Sequence, residues 1–162
     1  MSAPASMLNP YAKFLGDARA QDVLDMTPVT IARLIRHTDA AGLTRSPAPG
    51  KWSIRDILCH LADSEVSFAF RLRQTIGESH HVIQPFDQEL WSSPYSKLDA
   101  HDALDAYTAF RRWNMLLIRA VGPQALSKPV THPERGEMTF GTIVETMAGH
   151  DINHLRQIEK LV

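Results

Sequence analysis

The sequence predicts an all-α fold, a four-helix bundle preceded by a short leader. Three observations predict it. Apolar residues recur every three or four positions in four separate stretches, Gly and Pro separate these stretches, and period-two alternation is too short anywhere to indicate a strand. A length of 162 residues with 44% hydrophobic residues suits one core. We therefore predict a single domain over residues 1–162.

The first elements are a leader and helix one. Residues 1–26 contain Pro and Gly with only a short apolar patch, which predicts a leader that packs on the bundle. Thr27 followed by Pro28 is typical of an N-cap with proline at the first helical position. Helix one is predicted to begin there and to end near Gly42. Its apolar stripe is Ile31, Leu34, Ile35 and Thr38.

Helix two begins after a turn that is rich in Pro and Gly. Ser53 with Asp56 three residues later matches a capping box, and Gly77 marks the predicted end. The stripe of this helix is Ile54, Leu58, Leu61, Phe68 and Leu72. Residues 79–98 then show no periodicity, and because such a long connection is uncommon in a small domain, we expect it to cover a site.

Helices three and four complete the bundle. Asp99 is the predicted N-cap of helix three, which ends at Gly122 and Pro123. Its predicted stripe is Leu104, Tyr107, Phe110, Trp113, Leu117 and Val121. Helix four is predicted to begin at Thr139 and to continue to the end of the chain.

Composition excludes several classes of protein. The chain has 17 Lys and Arg against 18 Asp and Glu, so no strong positive field would attract nucleic acid. Its single cysteine, Cys59, fits a reducing compartment, which favours the cytoplasm. The absence of a basic start and of a run of about 18 apolar residues argues against a signal peptide and a membrane span.

The last helix carries the most informative pattern. At about 100° per residue, His150 and His154 fall on its apolar face. Two buried imidazoles need partners, because each unsatisfied polar group costs roughly 1–3 kcal/mol. A metal ion would satisfy both rings, and so would hydrogen bonds to groups on other helices.

Helix two offers a third ring and a carboxylate. His60 lies at the edge of the stripe and can point inward beside the pair, giving a three-histidine site with an open fourth position for water or substrate. Glu65 lies on the inner face, where it is a candidate general base or an orienting group. The alternative for Glu65 is a buried acid that pairs two helices. Cys59 points away from this face.

Two motifs in this order resemble the DinB-like (DinB/YfiT) family of metalloenzymes. The first is PGKWSIRDILCHLADSE, from Pro49 to Glu65. The second consists of HPERG, from His132 to Gly136, and GHDINHLRQI, from Gly149 to Ile158. Together they place the resemblance over roughly residues 27–162.

The resemblance implies an up-down-down-up bundle with a crossover between helices two and three. It implies that His60, His150 and His154 bind one divalent ion, with zinc or nickel ahead of iron or manganese. Family members include S-transferases that use low-molecular-weight thiols and proteins called hydrolases by analogy, and many are homodimers. We therefore expect a metal-dependent enzyme with a small-molecule substrate, an S-transferase or a hydrolase that activates a thiol or water. The alternative is a metal- or ligand-binding stress-response module without turnover.

Overall fold

The structure is a computed structural model that describes residues 8–162. This part of the chain forms four long helices and a small sheet. Residues 1–7 of the predicted leader lie outside it. The helices are α1 Ala12–Leu15, α2 Ala20–Ile35, α3 Ala40–Thr44, α4 Ile54–Gly77, α5 Gln88–Ser92, α6 Ala100–Val121 and α7 Phe140–Ile158. The strands are β1 His81–Val82, β2 Pro129–His132 and β3 Gly136–Thr139. No helix in this range is long and apolar enough to cross a membrane.

The second and third long helices, α4 and α6, run parallel. Cys59 and Ala103 line one surface cavity, and further along both helices Arg73 Nη1 donates to Asn114 Oδ1 at 2.9 Å. Residue numbers therefore rise together along the two helices. The connection 78–99, which contains β1 and α5, carries the chain back to the start of α6.

The outer pair, α2 and α7, is also parallel. The start of α2 at Ala20 borders the same surface cavity as Thr142, and its last residue, Ile35, shares a core cluster with Ile158. The first residues of the two helices therefore lie near each other, and so do their last residues.

The two pairs oppose each other. Trp52, just before α4, lies 6.3 Å from the ring of His154, whereas Phe68 in α4 lies 6.1 Å from the ring of His150. Since α4 therefore runs against α7, the order is up-down-down-up, and the predicted four-helix bundle is confirmed.

Helix α2 begins eight residues earlier than predicted, with Arg19 at the N-cap position, so the assignment of Thr27 as its N-cap is wrong. Pro28 lies inside the helix, where it cannot donate to the carbonyl of Leu24. That carbonyl instead accepts a hydrogen bond from Arg111 Nη1 at 3.0 Å. The helix also ends at Ile35, before the predicted Gly42. Gly42 belongs to the separate helix α3, whose N-cap Asp39 accepts a hydrogen bond from Gly42 N at 2.7 Å.

The other predicted helix ends agree with the structure, except that α7 ends at Ile158, four residues before Val162. Ser53 and Asp56 form the predicted capping box of α4, and the side chain of Asp99 caps α6. Gly122, with φ +70°, ends α6 in a conformation that residues with a Cβ seldom adopt. The side chain of Thr139 caps α7 by accepting from Thr142 N. These caps depend on residues only a few positions apart.

The predicted stripe of helix three is partly wrong. Phe110 and Trp113 are 40% and 61% exposed, while Arg111 and Asn114 are 2% and 0% exposed. The face that α6 turns inward therefore carries two polar side chains, which a search for apolar residues passes over.

A three-stranded sheet closes one end of the bundle. β1 pairs parallel with β2, and β2 pairs antiparallel with β3, with His132 opposite Gly136 across the turn. The sequence predicts no strand. The observed strands have only two to four residues, which is too short to show period-two alternation.

The apolar core consists of two clusters with a polar layer between them. One cluster surrounds Leu58 and Tyr107, and the other surrounds Leu72 and Phe140. Eight buried polar residues of α4, α6 and α7 lie between these clusters. They are His60, Ser64, Glu65, Arg111, Asn114, His150, Asp151 and His154.

Candidate metal centre

Three histidine rings converge in the polar layer. His60 comes from the first half of α4, and His150 and His154 come from adjacent turns of α7. Their Nε2 atoms lie 2.9 Å apart for His60 and His150 and 3.1 Å apart for His154 and His150. All three residues are buried. Within the described residues they form the one group of His, Cys, Asp or Glu side chains that could hold a metal ion.

The tautomer of His154 follows from its neighbour. Nδ1 lies 2.9 Å from the carbonyl oxygen Oε1 of Gln157, so Nδ1–H donates to that oxygen. A neutral His154 ring therefore presents the lone pair of Nε2 to the other two rings. This is the state in which imidazole binds a metal ion.

Hydrogen bonds alone satisfy the three rings poorly. His150 Nε2 faces both other Nε2 atoms, yet a single proton can be directed well along only one of the two contacts. His60 Nδ1 is buried and has no hydrogen-bond partner among residues 8–162. A cation placed between the three Nε2 atoms would be coordinated by the lone pair of each ring.

The spacing of the nitrogen atoms suits one ion. Tetrahedral ligands at about 2.0–2.1 Å from a metal stand roughly 3.3 Å apart. The two Nε2 separations of 2.9 and 3.1 Å are close to that value. The residues present therefore fit a divalent metal ion.

Burial keeps the three rings neutral. Desolvation and, to a smaller extent, the neighbouring His154 lower the pKa of His60 to about 3. Desolvation and the other two rings hold the pKa of His150 well below its usual value, and desolvation also lowers the pKa of His154. At neutral pH each ring is available as a ligand.

Aromatic side chains surround the rings and exclude solvent. The ring of Trp52 lies 4.9 Å from that of His60, and Tyr11 packs edge-on against His150 at 5.1 Å. Tyr11 can approach because Gly149 has no side chain, since a Cβ there would lie 2.5 Å from the carbonyl oxygen of Tyr11. The segment that leads into α1 thus packs directly on α7.

A cavity of about 220 Å³ opens beside the rings. His60 and His150 line it together with side chains from the connection after α4 and from the β2–β3 turn. This arrangement leaves a place for a small ligand next to the Nε2 atoms. A larger surface cavity of about 490 Å³ borders Trp52 and Gln157 but none of the three rings, so we do not take it as the site of chemistry.

The centre rests on a buried ion network around Arg111. All five of its N–H groups donate: two to Glu65 Oε1, two to the carboxylate of Asp151 and one to the carbonyl of Leu24. One side chain of α6 therefore joins α2, α4 and α7.

Two neutral side chains complete the network. Tyr107 Oη donates to Asp151 at 3.0 Å, and Asn114 Nδ2 donates to Glu65 at 2.9 Å. Desolvation lowers the pKa of Arg111, but Asp151, Tyr107 and Glu65 together raise it more, so the pKa lies well above its usual value. The network thus holds a fixed positive charge between two acids.

Glu65 lies in this network and makes no hydrogen bond to the three rings within the described residues. Burial raises the pKa of its carboxyl, and Arg111 opposes that shift. Cys59 is buried in the apolar cluster, where desolvation raises its pKa to about 11. It therefore has little thiolate at neutral pH.

The sequence interpretation missed Arg111 and Asp151. Neither residue belongs to a predicted apolar stripe, yet they are 2% and 1% exposed. The available signal was the helical spacing of Tyr107, Arg111 and Asn114, which alone could not show that carboxylates from two other helices meet them.

Known proteins resemble this chain in sequence and in fold. The family model described as DinB superfamily matches residues 24–158. A protein of Oceanobacillus iheyensis named "Putative metal-dependent hydrolase" is 31% identical over 137 residues, 81% of this chain and 79% of its own length. One of the same description from Bacillus mycoides is 27% identical over 146 residues, 90% of this chain and 84% of its own length. Among solved structures, YfiT from Bacillus subtilis, described as a probable metal-dependent hydrolase with an unusual four-helix bundle topology, has a TM-score of 0.80 at 21% identity. That match covers 88% of this chain and 83% of YfiT, and it supports the fold.

Proposed function

This chain belongs to the DinB superfamily, and from that premise we propose that it is a metal-dependent enzyme whose ion is held by His60, His150 and His154. The observation that carries the proposal is the convergence of three buried Nε2 atoms beside a cavity. A divalent ion there would supply Lewis acidity and lower the pKa of a water or thiol next to it.

The residues around the centre act on the ligands and on water. Gln157 holds His154 with Nε2 toward the centre, and Trp52 and Tyr11 shield the rings from solvent. Arg111 fixes the turn of α7 that carries Asp151 and His150. For Glu65 we propose the role of a helix-pairing acid rather than a general base, because both oxygens accept hydrogen bonds from α6.

Zinc or nickel is the proposed ion, with iron or manganese as alternatives. Three imidazoles suit all four ions, and availability often decides between them. Elemental analysis of the protein purified without added metal tests this. We expect one equivalent of metal in the wild type and in His101→Ala, which changes an exposed residue, and its loss in His150→Ala. A metal-free wild type, or a metal-replete His150→Ala, would contradict the proposal.

The proposed reaction is attack of a thiol or of water on a small electrophile. The hydrolase names of the relatives favour water, and the family resemblance favours a low-molecular-weight thiol. Two assays on the metal-replete protein separate them: consumption of glutathione or bacillithiol with a reactive halide, and hydrolysis of activated esters. The activity should disappear in His60→Ala and remain in His101→Ala.

The alternative from another class is a binding module in stress response that holds the metal without turnover. It predicts the same metal content and no activity in either assay, so turnover separates the two functions.

We also propose a cytoplasmic homodimer. Exposed apolar side chains on α4 and α6 support self-association. They are Val66, Phe70, Phe110 and Trp113. A sizing column should show twice the monomer mass for the wild type and a shift toward monomer for Trp113→Glu. A monomeric wild type would contradict the dimer.

A further inference from the structure

Arg71 is a half-buried cation that has no carboxylate partner among residues 8–162. It lies on α4 eleven residues after His60, so both side chains share a helix face and line the same cavity. Its Nε atom is buried and makes no hydrogen bond within residues 8–162. Nη2 reaches the carbonyl of Gln84 only at 3.5 Å, and the guanidinium lies over the rings of Phe68 and Phe86 at 5.8 and 5.7 Å. No ion pair of the described chain includes Arg71.

This environment disfavours the charge that Arg71 carries. Desolvation and, to a smaller extent, the positive charge of Arg135 lower its pKa to about 10. By contrast, Arg111, which is fully buried, is matched by two carboxylates. A guanidinium nitrogen that is shielded from water normally has a hydrogen-bond partner, and an anion in the cavity would supply the one that Arg71 Nε lacks.

A second cation and a neutral donor line the same cavity. Arg135 stands on the turn between β2 and β3, and it too makes no ion pair within the described residues. His132 Nδ1 accepts the backbone N–H of Glu134 at 3.2 Å, so the neutral ring carries its proton on Nε2. The charged side chains around the cavity, Arg71, Arg135 and Glu134, leave one net positive charge.

From these contacts we propose that the cavity beside the three rings binds the carboxylate or phosphate group of a small anionic substrate through Arg71 and Arg135, with His132 as an additional donor. The inference rests on the proposed function in one respect, since it takes this cavity as the place where a substrate reaches the metal centre. The volume of about 220 Å³ lies below the range of about 300–1,000 Å³ typical of drug-sized ligands, which favours a small molecule.

The test is calorimetric titration of the full chain at low ionic strength, with inorganic phosphate and with acetate. Acetamide, a neutral analogue of acetate, is the ligand control. Each titration is made on the protein as purified and after removal of metal by a chelator, because a phosphate held by the metal alone would disappear with the metal. The variants are Arg71→Gln, Arg135→Gln and Arg71→Lys, with Arg112→Gln, an exposed residue of α6, as the matched control.

We expect phosphate or acetate to bind the metal-free wild type, and acetamide not to bind. Arg71→Gln and Arg135→Gln should each weaken anion binding by about tenfold or more, because each removes a charge-assisted hydrogen bond. Arg112→Gln should bind like the wild type, and Arg71→Lys should retain part of the affinity. Whichever anion binds more tightly identifies the group. Because Arg71 is unpaired, Arg71→Gln should melt no lower than the wild type, which separates lost binding from lost folding.

Absence of anion binding to the metal-free wild type, or equal affinity in Arg71→Gln, would overturn the inference and leave the metal centre intact. Conversely, anion binding in a protein that never takes up metal would support the inference while contradicting the proposed function.

Discussion

Removal of the charge on Arg111 gives the sharpest test of how the polar layer holds the bundle together. In Arg111→Met an apolar side chain of similar length replaces five hydrogen bonds. Glu65 and Asp151 then stay buried without their cation, and the carbonyl of Leu24 in α2 has lost its donor. Breaking a buried pair by removing one partner costs about 3–5 kcal/mol.

This cost converts into a measurable melting shift. For a domain of this size each kcal/mol lowers the melting temperature by about 2–4 °C, so we expect a decrease of roughly 6–20 °C. Tyr107 and Asn114 still donate to the two acids, so the variant should still fold. Circular dichroism melting measures the shift. Arg112→Met, next in the chain and exposed, should change stability by no more than about 0.5 kcal/mol.

The pH dependence adds an independent check. Burial already raises the pKa of Glu65 above its ordinary value, and in Arg111→Met the opposing cation is gone. The folded variant then binds more protons than the unfolded chain above the ordinary pKa of 4.5, so its stability falls as pH rises from there. The melting loss relative to wild type should be larger at pH 8 than at pH 5. A loss no greater than that of Arg112→Met, or one independent of pH, would refute this reasoning.

Two further predictions concern the surroundings of the rings. Gln157→Leu removes the acceptor that orients His154, so metal affinity should fall by about 10–100-fold with little change in melting, as competition with a chromogenic chelator measures; unchanged affinity would contradict the orienting role. Gly149→Ala places a Cβ 2.5 Å from the carbonyl oxygen of Tyr11, so it should lower stability by about 1–3 kcal/mol in thermal melts. Its control, Gly77→Ala, has open space and a compatible backbone and should be neutral or stabilising by up to about 1 kcal/mol; equal effects of the two would show that the contact of Tyr11 with α7 contributes nothing.

The sequence by itself determined most helix ends and the placement of the three rings on helix faces. The caps at Ser53, Asp99 and Thr139 and the stop at Gly122 involve only neighbouring residues, so their spacing is sufficient to predict them. The face shared by His150 and His154 follows in the same way from the helical repeat. The position of His60 at the edge of the helix-two stripe made it a candidate third ligand, the family resemblance matched all three positions, and the structure brings the three together.

Tertiary structure decided what the buried polar groups do. Pro28 is accepted within α2 because Arg111, 87 residues from Leu24, donates to the carbonyl that proline leaves free. The inward face of α6 and the pairing of Glu65 depend on the same arginine. Arg71 is unpaired because no carboxylate of residues 8–162 lies within ion-pair distance of its guanidinium. The physical reason is that a buried polar group must find its partner on another segment, and no local pattern records which remote residue will arrive there.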